Sequence, residues 1–374
     1  MYQTNRGYAL CSLKRIQKVF SCQNRLNPIN RSFSQNSWLY KQKLTVEEEL
    51  VIPERHRKSK VPKTVEEVAK EYSKFYENYY GSTRWPQLFN SLKAPSRYSC
   101  LMNKYSSIDE KLSIPDSFKE LNLEKFPFKS LDCFQISNDL GGYSFPRPEK
   151  NDSTGLLTHY LLDAGSVLAT EALDVQPGEH ILDMCASPGG KSLCILQRMG
   201  GIIGGHLTCN EPSATRRKTL GRVMAEYIPK NFGVEITITG EEGWKFLYFG
   251  LDRYDKVLVD APCSSDRHIL HDASELKLWT PSRTKNLAKR QFALLQSALK
   301  VVKPGGIIVY STCTLSELEN DEIIERTLKK SKVPFEVIHE DWSFGEKTKH
   351  GWICLPDTAN GFGPLYFAKL KKLE

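Results

Sequence analysis

The chain has 374 residues, 40% hydrophobic and 10% aromatic: enough apolar material for a sizeable core, and more chain than one average domain uses. Mean hydropathy is −0.43 and no run approaches the roughly 18 consecutive apolar residues of a membrane span, which argues against a transmembrane protein. The net charge of +8 points to nucleic acid only until it is located: Arg6, Lys14, Arg15, Lys18, Arg25, Arg31, Lys41 and Lys43 precede the first acid, Glu47, and removing these 8 from 52 bases leaves 44 against 44 acids.

The excess charge therefore belongs to the leader. Arg- and Ser-rich with interspersed Leu, Ile, Val and Phe, residues 1–40 have the composition of a mitochondrial transit peptide, with Arg31–Ser34 as a cleavage region and the mitochondrial matrix as destination. A disordered basic tail that binds RNA is the alternative. Residues 41–150 then mix charged and aromatic stretches. Helices are expected at Val65–Tyr79 and around Ser113–Leu123, making a smaller, mainly helical N-terminal region that faces RNA or a partner. The Pro/Asn/Asp/Ser-rich stretch Pro146–Ser153 reads as a linker, and a boundary is placed there.

From residue 151 the pattern sharpens. Leu157, Leu161, Ala164, Leu168 and Ala172 form an amphipathic stripe ended by Pro177-Gly178. Then follow a strand at His180–Met184, a Gly turn, a helix at Lys191–Arg198, a strand ending near Asn210-Glu211 and a helix from Ala214. Strands near Glu235–Thr239 and Lys256–Asp260, a helix at Thr284–Val302, the turn Lys303–Gly306 and a strand at Ile307–Ser311 complete the series. Alternating strands and helices predict an α/β fold with a doubly wound parallel sheet. Beyond Cys313, Ser316 and Glu319 have the spacing of a capping box opening another helix.

The ten cysteines contain no C-x-x-C pair, which argues against a zinc site and against a thioredoxin-type site; reduced thiols are expected and no metal. Position promotes two of them. Cys263 and Cys313 each follow a β-branched run, and in an open parallel sheet the carboxyl ends of the strands form the ligand edge, so both thiols can face one pocket. The loop Asp183–Lys191 follows a strand and opens a helix, where glycines let backbone approach a cofactor. It lacks the G-x-G-x-x-G of a dinucleotide site. Glu211 lies 21 positions past Gly190, near the spacing at which an acid meets ribose hydroxyls. A ribose-bearing cofactor without pyrophosphate fits, namely S-adenosyl-L-methionine. Asp260, just before Pro262-Cys263, is placed to meet a pyrimidine edge or to cap its strand. Spacing alone does not decide which cysteine attacks.

Three stretches in fixed order, Asp183–Ser192 (DMCASPGGKS), Asp260–Cys263 (DAPC) and Ser311–Thr314 (STCT), resemble the RNA (cytosine-5)-methyltransferases of the Nol/Nop/Sun family over roughly residues 155–370. Asp266-Arg267-His268 and Phe362–Phe367 are similar to its mitochondrial branch that acts on small-subunit rRNA. The resemblance implies a Rossmann-like methyltransferase sheet, S-adenosyl-L-methionine as cofactor, Cys313 as nucleophile on carbon 6 of cytosine, and Cys263 and Asp260 as its catalytic partners. It places Cys185, Ala186, Ser187, Pro188, Gly189, Gly190, Lys191, Glu211, Arg216, Glu242, Gly243 and Asp260 at the cofactor. Mitochondrial rRNA, the mitoribosomal small subunit or its assembly intermediates, and an mTERF-like protein are the implied partners. Lys277, Arg283, Lys285, Lys289 and Arg290 beside Trp279, and Arg216–Lys218, are candidate RNA contacts, and the loop Ser264–His271 is a candidate grip on an unstacked base. The same reaction on a mitochondrial tRNA, or a mainly non-catalytic assembly role, is the alternative.

Overall fold

The structure, a computed structural model, describes residues 63–107, 114–137, 144–200 and 204–374; the expected transit peptide lies outside them. At the centre is a nine-stranded sheet. Strands β5 (His180–Asp183), β6 (His206–Asn210), β7 (Glu235–Thr239), β8 (Tyr254–Asp260) and β9 (Val302–Thr312) run parallel in the order β7-β6-β5-β8-β9. The antiparallel β13 (Leu365–Lys372) closes the far side of β9 and carries β10 (Phe335–Ile338) and β12 (Trp352–Cys354), with β11 (Glu346–Lys347) beyond. Successive strands step away from β5 in both directions. The order therefore reverses between β5 and β8, which puts the crevice at the carboxyl ends of those two strands.

Strands β5, β6 and β8 are read easily because they are largely buried on both faces, whereas β7, at the edge of the sheet, leaves Ile238 exposed and is marked by its β-branched residues instead. Leu258 faces one core with Leu168, Leu193 and Leu220; Val257 and Val259 face the other with Leu295, Leu299 and Ile323. The first core is roofed by α2 (Ala164–Leu173), α3 (Gly190–Met199) and α4 (Ala214–Tyr227), the second by α7 (Pro281–Val301), α8 (Asp321–Lys330) and a stretch of α1 (Val65–Lys93). The expected turn Lys303–Gly306 survives as a bulge inside β9: Tyr254 pairs with Val302, and Lys256 with Ile307.

The N-terminal region departs from the sequence reading in three places. The helix expected at Val65–Tyr79 opens at the capping box of Thr64 and Glu67 and is interrupted by Gly81, non-helical at φ +81 and ψ 154; unexpected is the second helical stretch, which completes α1 as far as Lys93. Where a helix was expected around Ser113–Leu123, the described residues hold a 3₁₀ turn, Asp116–Phe118, and the start of β2 (Leu123–Lys125). That strand belongs to a four-stranded antiparallel sheet with β1 (Ser99–Met102), β3 (Cys133–Ile136) and β4 (His159–Leu162), in the order β2-β3-β1-β4.

The placement of β4 corrects two further expectations. The stripe from Leu157 to Ala172 is not one helix: β4 comes first, then Asp163 caps α2 by accepting from Gly165 N at 2.8 Å. Nor does the boundary near residue 150 separate one body from another. β4 pairs with β1 through Ser99↔Leu162 and Met102↔His159, and Asn103 donates to the carbonyls of Leu157 and Tyr227, each at 2.9 Å. The described residues form one compact unit.

Candidate active site

Two loops meet beyond the carboxyl ends of β8 and β9, neighbouring parallel strands, and this adjacency brings their thiols together. Cys263 Sγ and Cys313 Sγ lie 3.2 Å apart, and the backbone N–H of Cys313 donates to Cys263 Sγ at 3.2 Å. Ser265 Oγ stands 3.2 Å from Cys313 Sγ and 3.5 Å from Cys263 Sγ. Both cysteines are free thiols, Cys313 exposed and Cys263 half-buried. They do not share charge equally. Hydrogen bonding from Cys263 and then from Ser265, with help from the Lys191 ammonium, holds Cys313 below the ordinary thiol range against the effect of burial and Asp260. The neighbouring Cys313 sulfur and burial push Cys263 well up. Of the two sulfurs, Cys313 is the one more readily ionised and Cys263 the one held protonated.

A buried polar network knits the two loops. Ser264 donates through N–H and hydroxyl to Glu319, at 3.0 and 2.7 Å, and its Oγ lies 2.7 Å from Thr314 Oγ1. Asp266 accepts from Thr314 Oγ1 and Leu315 N, both at 2.7 Å, and from Tyr72 of α1 at 2.9 Å. The capping box expected from Ser316 and Glu319 is absent: Ser316 makes no side-chain cap, and Glu319 turns inward to Ser264 and Gln291 instead. Acceptance of these buried donors outweighs a cap at a surface turn.

Burial dominates the Glu319 carboxyl, pushing it up to about 7 although Ser264 and Gln291 donate to it. The folded protein thus keeps this proton from the ordinary 4.5 up to about 7, where the unfolded chain has lost it. The stabilisation is complete below 4.5 and fades as pH rises through 7. Asp183, also raised to about 7 by burial, acts with the same sign. Glu319→Gln, neutral at every pH, is expected to flatten the fall in unfolding free energy between pH 4.5 and about 7 by up to about 3 kcal/mol, measured by denaturant melts across that range. An unchanged slope would mean that Glu319 is ionised in the folded state.

A cavity of about 200 Å³ lies at the carboxyl end of β5 and reaches Asp260, the last residue of β8 and close in sequence to Cys263. The loop between β5 and α3 lines it through Cys185, Ala186, Ser187, Pro188, Gly190 and Lys191, and Asp260 closes the side towards β8. Lys191 Nζ bonds Asp260 Oδ2 at 2.9 Å and Ser166 Oγ at 3.0 Å, and Ser311 donates to Asp260 Oδ1 at 2.9 Å. Burial works against the Lys191 ammonium, but the Asp260 carboxylate prevails and holds it above its usual range. Asp260 therefore belongs both to the cavity and to the electrostatics of Cys313.

The remaining expected cofactor residues separate from the cavity wall. Gly189, at φ +124, packs against α4: a Cβ there would meet Val223 at 3.0 Å. Glu211 is buried at the end of β6, accepts from Ser213 N at 2.8 Å and pairs with Arg216 at 3.3 Å; Arg216 also donates to Ser187 O at 2.8 Å. Glu242 is exposed and Gly243 is buried against Leu294 and Met184, so neither lines the cavity. The expected RNA cluster also loses a member: Trp279 is buried in edge contact with Tyr72 at 5.2 Å and presents no stacking face. Arg283 pairs with Glu275 at 2.8 Å. The expected base grip folds as α5 (Asp266–His271), with His268 exposed and His271 against Leu92 O, and the short α6 (Ala273–Lys277) follows it.

Sequence reasoning missed Ser166 and Tyr160 and read Glu319 as a helix cap; Asp183, Ser311, Ser265 and Asp266 lay inside the motifs and loops it singled out but were given no role of their own. Asp163, a good N-cap between a short apolar run and Ala164, was the signal that would have split the long helix and put Tyr160 and Ser166 near the loop. Nothing local marks Glu319 or Asp266, whose partners lie up to 194 positions away.

The sequence profile of the family described as 16S rRNA methyltransferase RsmB/F matches residues 170–371, more than half of the chain. The 5-cytosine rRNA methyltransferase NSUN4 of Mus musculus is 34% identical over 328 residues, covering 77% of this chain and 84% of the relative. The mitochondrial tRNA (cytosine(34)-C(5))-methyltransferase of Mus musculus is 33% identical over 323 residues, 82% of this chain and 90% of that protein. Among solved structures, NSun6 from Pyrococcus horikoshii with SFG superposes with a TM-score of 0.64 over 82% of this chain and 98% of its own, at 18% identity, a likeness of fold.

Proposed function

Because the chain belongs to the 16S rRNA methyltransferase RsmB/F family and is an S-adenosyl-L-methionine-dependent RNA cytosine-5 methyltransferase, we propose that it methylates a cytosine of mitochondrial small-subunit rRNA through a covalent adduct on Cys313. The observation that carries this reading is the 3.2 Å approach of two unequal sulfurs, with Asp260 acting on Cys313 from the cavity wall.

The cavity suits the methyl donor. Asp183 Oδ1 is buried with no partner among the described residues, an acceptor turned to a donor-rich ligand, while Ser192 holds Oδ2 at 2.6 Å. Gly190 keeps the wall thin, since a Cβ there would stand 2.8 Å from the Tyr160 ring. Asp183, Ser187, Lys191 and Asp260 would hold the cofactor. When bound, S-adenosyl-L-methionine supplies an electrophilic methyl group to carbon 5.

The chain's own residues do the rest. The Cys313 thiolate adds to carbon 6, forming a C–S bond and making carbon 5 nucleophilic; Asp260 meets the N3/N4 edge. Addition removes the negative charge that kept Cys263 protonated, so Cys263 releases its proton to water and becomes a thiolate, held by Cys313 N–H. Cys263 then takes the carbon 5 proton, the C5–H electrons form the C5=C6 bond, and Cys313 leaves as thiolate. The net release is one proton per methyl transferred, and both sulfurs return to their starting states.

The body after residue 46 is formally neutral, which supports an mTERF-like partner that helps hold the rRNA; in the expected RNA-contact clusters Trp279 is buried and Arg283 is paired, while Lys218, Lys277, Lys285, Lys289 and Arg290 stay exposed. The mitochondrial relative and the basic leader support action in the matrix, on the mitoribosomal small subunit or its assembly intermediates. Bisulfite sequencing of mitochondrial RNA with and without the protein tests the substrate. Loss of one protected cytosine in small-subunit rRNA is expected; loss in a tRNA instead would move the reaction to the substrate of the second relative, and no loss would end the proposal.

A further inference from the structure

Ser265 occupies the N-cap position of α5, where serine ordinarily turns its hydroxyl onto the helix's first N–H groups. It does not do so here: it makes no side-chain cap, although its carbonyl accepts from Ile269 N at 3.1 Å and so starts the helix. Its backbone is left-handed, φ 55 and ψ 62, a conformation that costs a serine energy and that clusters at functional sites. The effect is to aim Oγ at the two sulfurs, 3.2 Å from Cys313 Sγ and 3.5 Å from Cys263 Sγ, with the Cys263 carbonyl also at 3.5 Å.

We propose that Ser265 is a positioning residue that stabilises whichever of the two cysteines is anionic, donating to Cys313 before attack and turning to Cys263 once Cys313 is bound to carbon. One rotatable hydroxyl within reach of both sulfurs can follow the negative charge without moving the backbone. No bond is made or broken by Ser265 itself; its proton stays on oxygen. The groups that act on Cys313 are Cys263, Ser265, Asp260 and Lys191, and of these Ser265 is the one uncharged, non-titrating donor, so its removal shifts the thiol without adding or deleting a charge.

The inference rests on the reading of Cys313 as nucleophile, and one experiment separates the two. Iodoacetamide alkylation of the full-length protein is followed against pH, with the modified cysteine identified by mass spectrometry. In the wild type, Cys313 is expected to react first and with a midpoint below that of an ordinary thiol. In Ser265→Ala and Ser265→Gly the midpoint is expected to rise by about 0.5–1 pH unit, slowing Cys313 alkylation near neutral pH by about 3- to 10-fold. Glycine relieves the left-handed backbone while alanine does not, so equal shifts in both assign the effect to the hydroxyl; a shift in alanine alone would assign it to backbone strain and overturn the proposal. Unchanged midpoints in both would overturn it as well, leaving the nucleophile in place. Alkylation of Cys263 first in the wild type would instead overturn the assignment of the nucleophile.

Discussion

Cys263→Ala protein incubated with substrate RNA and methyl donor is expected to accumulate as a heat- and detergent-resistant RNA adduct, whereas Cys313→Ala and the double variant form none. The reasoning is positional. Of the two thiols Cys313 is the one held below the ordinary range, so under the proposed function it makes the bond, and Cys263, 3.2 Å away, takes the carbon 5 proton that opens it. Removing Cys263 also deletes the strongest influence keeping Cys313 anionic, so attack slows. Accumulation still follows, because exit is impaired more than entry. The adduct-bearing fraction on a denaturing gel should exceed that of the wild type by at least about tenfold. Adduct in Cys313→Ala and none in Cys263→Ala would exchange the two roles.

Asp260→Asn is expected to lower the rate of methyl transfer by about 10²- to 10³-fold, measured under single turnover with saturating RNA. The carboxyl is fixed from two sides, by Lys191 at 2.9 Å and Ser311 at 2.9 Å, and its side chain remains 30% exposed towards the cavity. That combination suits a group that meets a substrate edge. Asparagine keeps the size and the Ser311 contact but removes the charge that Lys191 answers. Loss of that partly buried pair is expected to cost only about 1–2 kcal/mol of stability after solvent screening, so the variant should remain folded. A rate within about threefold of the wild type would reduce Asp260 to a strand-end cap that anchors Lys191.

The parallel sheet was legible, though not the order of its strands, because most of its strands are short, nearly continuous apolar runs, a pattern that depends on neighbours only a few residues away. β7 coincides with the expected Glu235–Thr239, and β5, β6, β8 and β9 are found where the runs predicted. The strand ends then put Cys263, Cys313, Asp260 and the Gly loop on one edge, which topology alone requires. What the sequence by itself determined was thus the catalytic edge and the chemical types assembled there.

The tertiary structure decided the rest, for reasons of distance along the chain. Strands β1–β4 are short and only partly alternating; β4 was absorbed into a helical stripe because apolar spacing over four residues fits either period. Glu319 had a local cap available and gave it up for donors 55 and 28 positions away. Trp279 looked like a stacking platform beside basic residues until α1 covered it. The unequal charge on two identical side chains depends on three segments meeting: the end of β8 and the stretch after it with Asp260, Cys263 and Ser265, the loop and helix start after β5 with Lys191, and the loop after β9 with Cys313. Local spacing carries no record of that convergence, because hydrogen bonds and desolvation act through space and are fixed only when the loops close on one another.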